Sequence, residues 1–423
     1  MEAYVQALNY AIPFFVALIL IEILVAARMK ADVIRSMDTL ASLSSGLSNV
    51  IKDVLGLTVI IVSYAWLVDK IALFHIKSTV LVYVFAFIGK DFAGYWVHRI
   101  AHQVNYFWNH HIVHHSSEEF NLGCALRQSI SEWFSITFVF LIPIALLGVP
   151  AEVVAIISPL HLFAQYWYHT RLIGRMGFLE KIIVTPSHHR VHHAINKIYL
   201  DKNLSQIFII WDKLFGTFQE ELDDEPPVYG VKRPVRTWNP FIINFIHLRQ
   251  LIVDAWRTSS YLDKLLIWFK PTGWRPADVV DKYPLKVIND VHDYDKYYPK
   301  LSFAIQTWSW VQYMFIFLMT MFFFNTIAEV ETLWIFVYGA YLFLCICSMT
   351  MLMDRSIYAW LVEVVKSAVG LGLILYAGDW FGLGNYWSNG IYLVAGYFVL
   401  SAAIVTYFHF SEINKSNTQL QVA

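Results

Sequence analysis

Nine stretches of this chain, each close to the length of a bilayer crossing, carry very little charge. They lie near 11–27, 53–68, 79–97, 131–148, 150–168, 303–324, 333–352, 358–376 and 390–409. A spanning helix needs about 20 largely apolar residues, and in lipid its backbone polar groups must be satisfied within the segment. The pattern predicts an all-α, polytopic membrane helix bundle of about nine spans. Only 15% of the 423 residues are charged and 57% are hydrophobic, whereas a soluble domain carries about 25% charged residues. A net charge of −1 gives no footing for nucleic acid. The three cysteines, Cys124, Cys345 and Cys347, are too few for a disulfide framework.

Lys and Arg near helix ends set orientation. The segment after the first stretch holds Arg28, Lys30, Arg35 and Lys52, and the first stretch lacks the basic start of a signal peptide, so it reads as a retained helix. Alternation from there puts 98–130 and 169–302 on the basic, cytoplasmic side, with Arg171, Arg175 and Lys181 in agreement and Lys70 and Lys77 as exceptions. Four parts follow: N-terminal membrane helices over 1–78, a core over 79–218, a polar linker or cap over 219–302, and a C-terminal helix bundle over 303–423.

The core carries three histidine clusters. His98 and His102 form HxxxH; His111, His114 and His115 form HxxHH; His189, His192 and His193 form HxxHH again. On a helix, positions i, i+3 and i+4 share a face, so each cluster is expected to aim its imidazoles at one point. Eight such ligands exceed a closed four-ligand zinc site and suit two metal ions with open positions. His169, at the end of a run with His161 and Gln165, is a ninth candidate. His110 and His188 fall off the shared faces.

Four polar residues are candidates for supporting roles. Asp91 sits four residues before Tyr95, which is three before His98 on the same helix face, where a carboxylate could orient an imidazole; its bland alternative is an ion pair with Lys90 or Arg99. Glu118 follows His114 by four residues, and Asn196 follows His192 by four. Either could hydrogen-bond to a ligand or simply be a solvated polar residue. Gln103 directly follows the first cluster.

Imidazole suits Zn, Cu, Fe and Ni. HExxH is absent, which disfavours a membrane peptidase. Redox-active iron with O2 can attack an unactivated C–H bond, and a membrane location suits a lipid substrate. A metal transporter or zinc scaffold is the alternative from another class, but its histidines should line a path across the bilayer instead of gathering at one face.

The three clusters, with the strings DFAGYWVHRIAHQVNYFWNHHIVHHSSEEFNLGCALRQS, QYWYHTRLIG, TPSHHRVHH and IWDKLFGTF, resemble the fatty acid hydroxylase and sterol desaturase superfamily, and within it the alkylglycerol monooxygenase family. The resemblance covers about 91–218. It implies two iron ions on His98, His102, His111, His114, His115, His189, His192 and His193, with His169 as a further ligand. It also implies tetrahydrobiopterin as reductant, O2 as co-substrate and glyceryl ethers as substrates. Relatives acting on sterols, fatty acids or other lipids draw electrons from a carrier protein. The family commonly has Glu where this chain has Gln103, which can hydrogen-bond but cannot act as a base. The membrane implied is a bacterial inner membrane or the endoplasmic reticulum.

Overall fold

The computed structural model describes residues 2–58 and 62–414. Among these the chain is all helical, with three isolated β-bridges and no strand. The first seven helices are α1 (Glu2–Met29), α2 (Ser36–Val54), α3 (Tyr64–Ile71), α4 (Val80–Gln103), α5 (Asn105–His115), α6 (Thr137–Leu146) and α7 (Ala151–Phe163). Short helices follow: α8 (Pro186–His192), α9 (Ile210–Phe215), α10 (Pro240–Arg257), α11 (Tyr261–Leu266) and α12 (Ala277–Lys282). The chain then forms α13 (Phe303–Thr326), α14 (Thr332–Met353), α15 (Ala359–Ala377) and α16 (Gly390–Phe408).

Among the described residues, six segments are long and apolar enough to cross a membrane: Ala11–Met29, Val80–Gln103, Phe303–Glu329, Thr332–Met353, Ala359–Ala377 and Gly390–Ile413. The stretch expected at 53–68 is not one helix, because α2 ends at Val54 and α3 starts at Tyr64; residues 59–61 lie outside the described residues. The stretches at 131–148 and 150–168 shrink to α6 and α7, of 10 and 13 residues. At 1.5 Å per residue these reach about 15 and 20 Å, short of a hydrocarbon core of about 30 Å. Local chemistry explains both. Gly148 turns at φ 78, where a Cβ would meet the Phe74 carbonyl oxygen at 1.8 Å, and Pro150 follows. Just past the end of α7 the Gln165 side chain donates to the His161 carbonyl at 3.1 Å, taking the acceptor that a further helical turn would use.

Two apolar cores organise the molecule. One joins α2 to α13, α14, α15 and α16 through Leu40, Ile51, Phe323, Tyr338, Met349 and Phe398. In it α2, from the N-terminal part of the chain, packs against the C-terminal helices. The other core sets α4 against α6 and α7 through Ala86, Ala93, Leu141, Val153 and Ile157.

The turn between α4 and α5 places the site. Val104 is extended and pairs with Pro271. The buried Asn105 side chain donates to the carbonyls of Ile267 and Trp274 at 2.9 and 3.1 Å and accepts from Gly273 at 2.9 Å. These bonds redirect the chain within one residue, so the end of α4 faces the start of α5.

Candidate metal centre

The three histidine clusters meet, but not one cluster to one point. His98, His102, His111, His115 and His192 form one group, and His114, His169, His189 and His193 form a second. Within each group one ligand atom per residue lies within 4.8 Å of all the others. The expectation that each HxxHH shares one focus is corrected by helix geometry. At about 100° per residue, i and i+4 differ by about 40°, whereas i+3 and i+4 stand about 100° apart. His111 and His115 therefore join one group while His114 turns to the other. On α8, His189 and His193 stay together and His192 crosses over.

Ring nitrogens crowd inside each group. In the first, Nε2 of His111 lies 2.9 Å from Nε2 of His98 and 3.1 Å from that of His115, and His102 and His115 approach to 3.2 Å. In the second, Nε2 of His189 is 2.8 Å from His169 and 3.1 Å from His193, and His114 is 3.4 Å from His169. Nitrogens bound to one ion at about 2.1 Å would be separated by roughly 3.0–3.4 Å, so the spacing fits a coordination shell. Nε2 of His192 is buried without a partner among the described residues, as a ligand atom would be. Burial pulls the pKa of His114 down to about 4. Burial and mutual repulsion hold His111, His115, His169, His189, His192 and His193 well below the ordinary value. Neutral imidazole is the metal-binding form.

The opposite ring nitrogens are oriented by a strap over 199–205. Nδ1 of His98 donates to the Leu204 carbonyl at 2.7 Å, Nδ1 of His192 to the Lys202 carbonyl at 3.0 Å, and Nδ1 of His102 to the Asp201 carboxylate at 3.2 Å. Asp201 and Asn203 sit at φ 56 and 52, a region Asp and Asn tolerate better than most residues. Asn203 donates to the carbonyls of His188 and Gln219, and buried Asp212 accepts from the Leu204 and Ser205 amides. Sequence reasoning missed Asp201 and this strap; the only signal was an Asp and an Asn in the short polar run DKN. In the second group, Nδ1 of His114 donates to the Arg127 carbonyl and Nδ1 of His169 to the Tyr166 carbonyl. Arg127 is itself buried and bound to Asp38 at 2.6 Å.

The α8 start follows its sequence. Thr185 is the N-cap, Pro186 opens the helix, and His188 completes a capping box, which gives that histidine a structural role. His169 reaches its group from a turn beyond α7, not from the continuous helix expected there.

The four supporting candidates are placed elsewhere, and none hydrogen-bonds to a grouped histidine among the described residues. Asp91 is fully buried, accepting from His161 Nε2, the Ile207 and Phe208 amides and Trp211 Nε1. Its partner is thus neither Lys90 nor Arg99. Gln103 is exposed and accepts from Arg99 at 3.4 Å. Glu118 accepts from the Tyr294 hydroxyl and the Tyr297 amide, tying α5 to the segment before α13. Asn196 donates to Glu225 and the Pro226 carbonyl and accepts from the Val228 amide, anchoring the start of the cap.

A cavity of about 540 Å³ opens on the first group at His102, His115 and His192, and touches the second at His193. Trp108, Ile112, Leu251 and Trp274 line it, and 230–233 with 272–287 roof it. The segment 219–302 is therefore a wall of the site.

These spans, paired imidazole groups and lipid-sized cavity define a membrane protein built like the fatty acid hydroxylases. The fatty acid hydroxylase family model matches residues 83–217, which hold all nine grouped histidines. The chain is similar to alkylglycerol monooxygenases from Homo sapiens (39% identical, covering 63% of this chain and 60% of that protein) and Danio rerio (38%, covering 65% and 61%). It is also similar to the one from Xenopus tropicalis (33%, covering 86% of this chain and 80% of that protein). The chain belongs to the alkylglycerol monooxygenase family. The matched stretch spans about three fifths of the human and Danio rerio proteins. No solved structure matches it.

Proposed function

We propose that this chain is an iron-dependent membrane monooxygenase that cleaves the ether bond of alkylglycerols. The observation that carries the reading is the pair of adjacent imidazole groups at one end of a largely apolar cavity. His98, His102, His111, His115 and His192 would hold one ion, and His114, His169, His189 and His193 the other. Iron held there supplies O2 activation, given two electrons from a reductant.

The net chemistry balances as follows. The C–H bond on the carbon beside the ether oxygen becomes C–OH, and the second oxygen atom leaves as water with two protons and two electrons. The resulting hemiacetal breaks its carbon–ether bond, its hydroxyl proton moves to the departing glycerol oxygen, and a fatty aldehyde and glycerol are formed. The protein's part is positioning. The 199–205 strap fixes three rings through their Nδ1 atoms, leaving Nε2 for the metal. Trp108, Ile112, Leu251 and Trp274 offer the alkyl chain an apolar wall and keep water from the reacting carbon.

The reductant proposed is tetrahydrobiopterin. A second reading, a lipid hydroxylase fed by a redox protein, is favoured by Gln103 standing where the family commonly has Glu. The basic residues Arg28, Lys30, Arg35, Arg171 and Arg175 support a cytoplasmic-side site. The test is aldehyde release from hexadecylglycerol by iron-loaded protein with O2, comparing reduced pterin with a reduced ferredoxin. Aldehyde with pterin supports the first reading. Turnover only with ferredoxin supports the second, and no aldehyde despite confirmed iron loading overturns ether cleavage.

A further inference from the structure

The cavity that meets the first histidine group is not electrically balanced. Its two carboxylates are committed: Asp254 is fully buried, bound by Arg275 at 2.6 and 3.0 Å and by Gln250 at 2.7 Å, while Asp201 serves His102. Lys232 and Arg233 line the same cavity, and neither side chain has a hydrogen bond or ion pair among the described residues. Their backbone is fixed all the same. Gly230 turns at φ 126 just before them, and the Ile288 amide donates to the Lys232 carbonyl at 2.9 Å. Burial and the neighbouring Arg275 and Arg249 work against the charge on Arg233, while Asp254 favours it. Two adjacent uncommitted cations beside a third, paired one make a subsite for an anion. Guanidinium and ammonium groups suit phosphate in particular. A neutral glycerol headgroup would leave Lys232 without a bonded counter-ion and Arg233 with only the Asp254 carboxylate that Arg275 already binds.

We propose that Lys232 and Arg233 bind a phosphate on the glycerol of the ether lipid, so that the favoured substrates are alkylglycerol phosphates instead of neutral alkylglycerols. The proposal rests on the ether-cleavage reading for its substrate, but the anion subsite can be tested without turnover.

Two arms separate the claims. In the first, iron-loaded full-length protein in neutral detergent is given hexadecylglycerol or hexadecylglycerol phosphate. The phosphate should be favoured about tenfold or more in kcat/KM. Arg233→Gln and Lys232→Gln should each shrink that preference severalfold, mainly through KM, and Arg233→Lys should restore part of it. Equal preference, unchanged by these variants, overturns the proposal. In the second arm, binding of dodecyl phosphate is followed by fluorescence of the cavity tryptophans. Affinity should fall about tenfold in Arg233→Gln. Loss of this response in the first arm's substrates but not here, with no aldehyde from either ether, would sink ether cleavage and leave the anion subsite standing. Equal dodecyl phosphate affinity in wild type and variants overturns the subsite. Inorganic phosphate competing as well as dodecyl phosphate overturns the lipid assignment.

Discussion

The two histidine groups share α5 and α8 yet sit in different surroundings, α4 adding His98 and His102 to the first and the turn beyond α7 adding His169 to the second. The first has five imidazoles, borders the cavity, and is held from behind by the strap that carries the Asp201 carboxylate. The second has four imidazoles and is walled by aromatic rings. Phe120 lies 5.2 Å from His193 and stacks on His169 at 5.8 Å, and Tyr168 lies 4.3 Å from His189. Its Nδ1 partners are backbone carbonyls. Stacked contacts across the boundary, His115 on His193 at 4.3 Å and His189 on His192 at 5.0 Å, join the two. Under the ether-cleavage reading, the substrate would meet the first group. The second touches the cavity at His193 and is packed by Phe120 and Tyr168.

The largest expected effect comes from removing a ligand on either side. His192→Ala should cost the first group its ion and His189→Ala the second group its own, so each variant loses one ion and aldehyde formation. Metal analysis on purified variants checks this, and a variant that lost no metal would break the division between groups. Next is Asp38→Ala, which strands the buried Arg127 behind His114. Breaking a buried pair costs about 3–5 kcal/mol, so thermal unfolding should move down with the second group's metal lost first. Asp201→Ala removes a side-chain partner of a ligand, which typically costs about 10–100-fold in affinity or activity. Its effect should fall on the first group alone, and metal competition assays on both groups would show it.

Acid gives a graded comparison. The grouped imidazoles outside the spans have depressed pKa values, with His114 at about 4. A depressed group contributes stability that is full above its unfolded pKa of about 6.5 and is lost as pH falls through the folded value. Metal-free protein should thus keep a flat unfolding temperature above pH about 6.5 and lose it progressively toward pH about 4. A stability that rose over that window would contradict the burial of these rings. The smallest effect belongs to Gln103→Glu. This exposed residue contacts Arg99 and no grouped histidine, so metal content should not change. A change in pterin dependence with metal content intact would give position 103 a role in electron delivery.

Much of this centre was legible because helical periodicity is. HxxxH and HxxHH pick out histidines that the structure gathers, Thr185–Pro186 marks the start of α8, and His110 and His188 fall outside both groups as their angular positions imply. The division of each HxxHH between two groups was equally present in the 100° step but needs the opposing helix to reveal it. The supporting residues were not legible, because they depend on contacts remote in sequence. Asp91 looked like a partner for His98 on its own helix, yet its bonds reach His161 and Trp211. Asp201, which does bond a grouped histidine, lies 99 positions from His102. Not all of the expected crossings appear as long helices among the described residues, for a similar reason. Apolar content persists through 131–168, but Gly148, Pro150 and the Gln165 side chain cut it into short helices.

The central claim is that two separate metal ions are held by nine histidines of one chain. The direct measurement is metal titration of metal-free, full-length protein, followed by the stoichiometry of what stays bound. The account predicts two ions per chain, with His192→Ala and His189→Ala each retaining one. A wild-type stoichiometry of one, or both ions lost together from either variant, would contradict it.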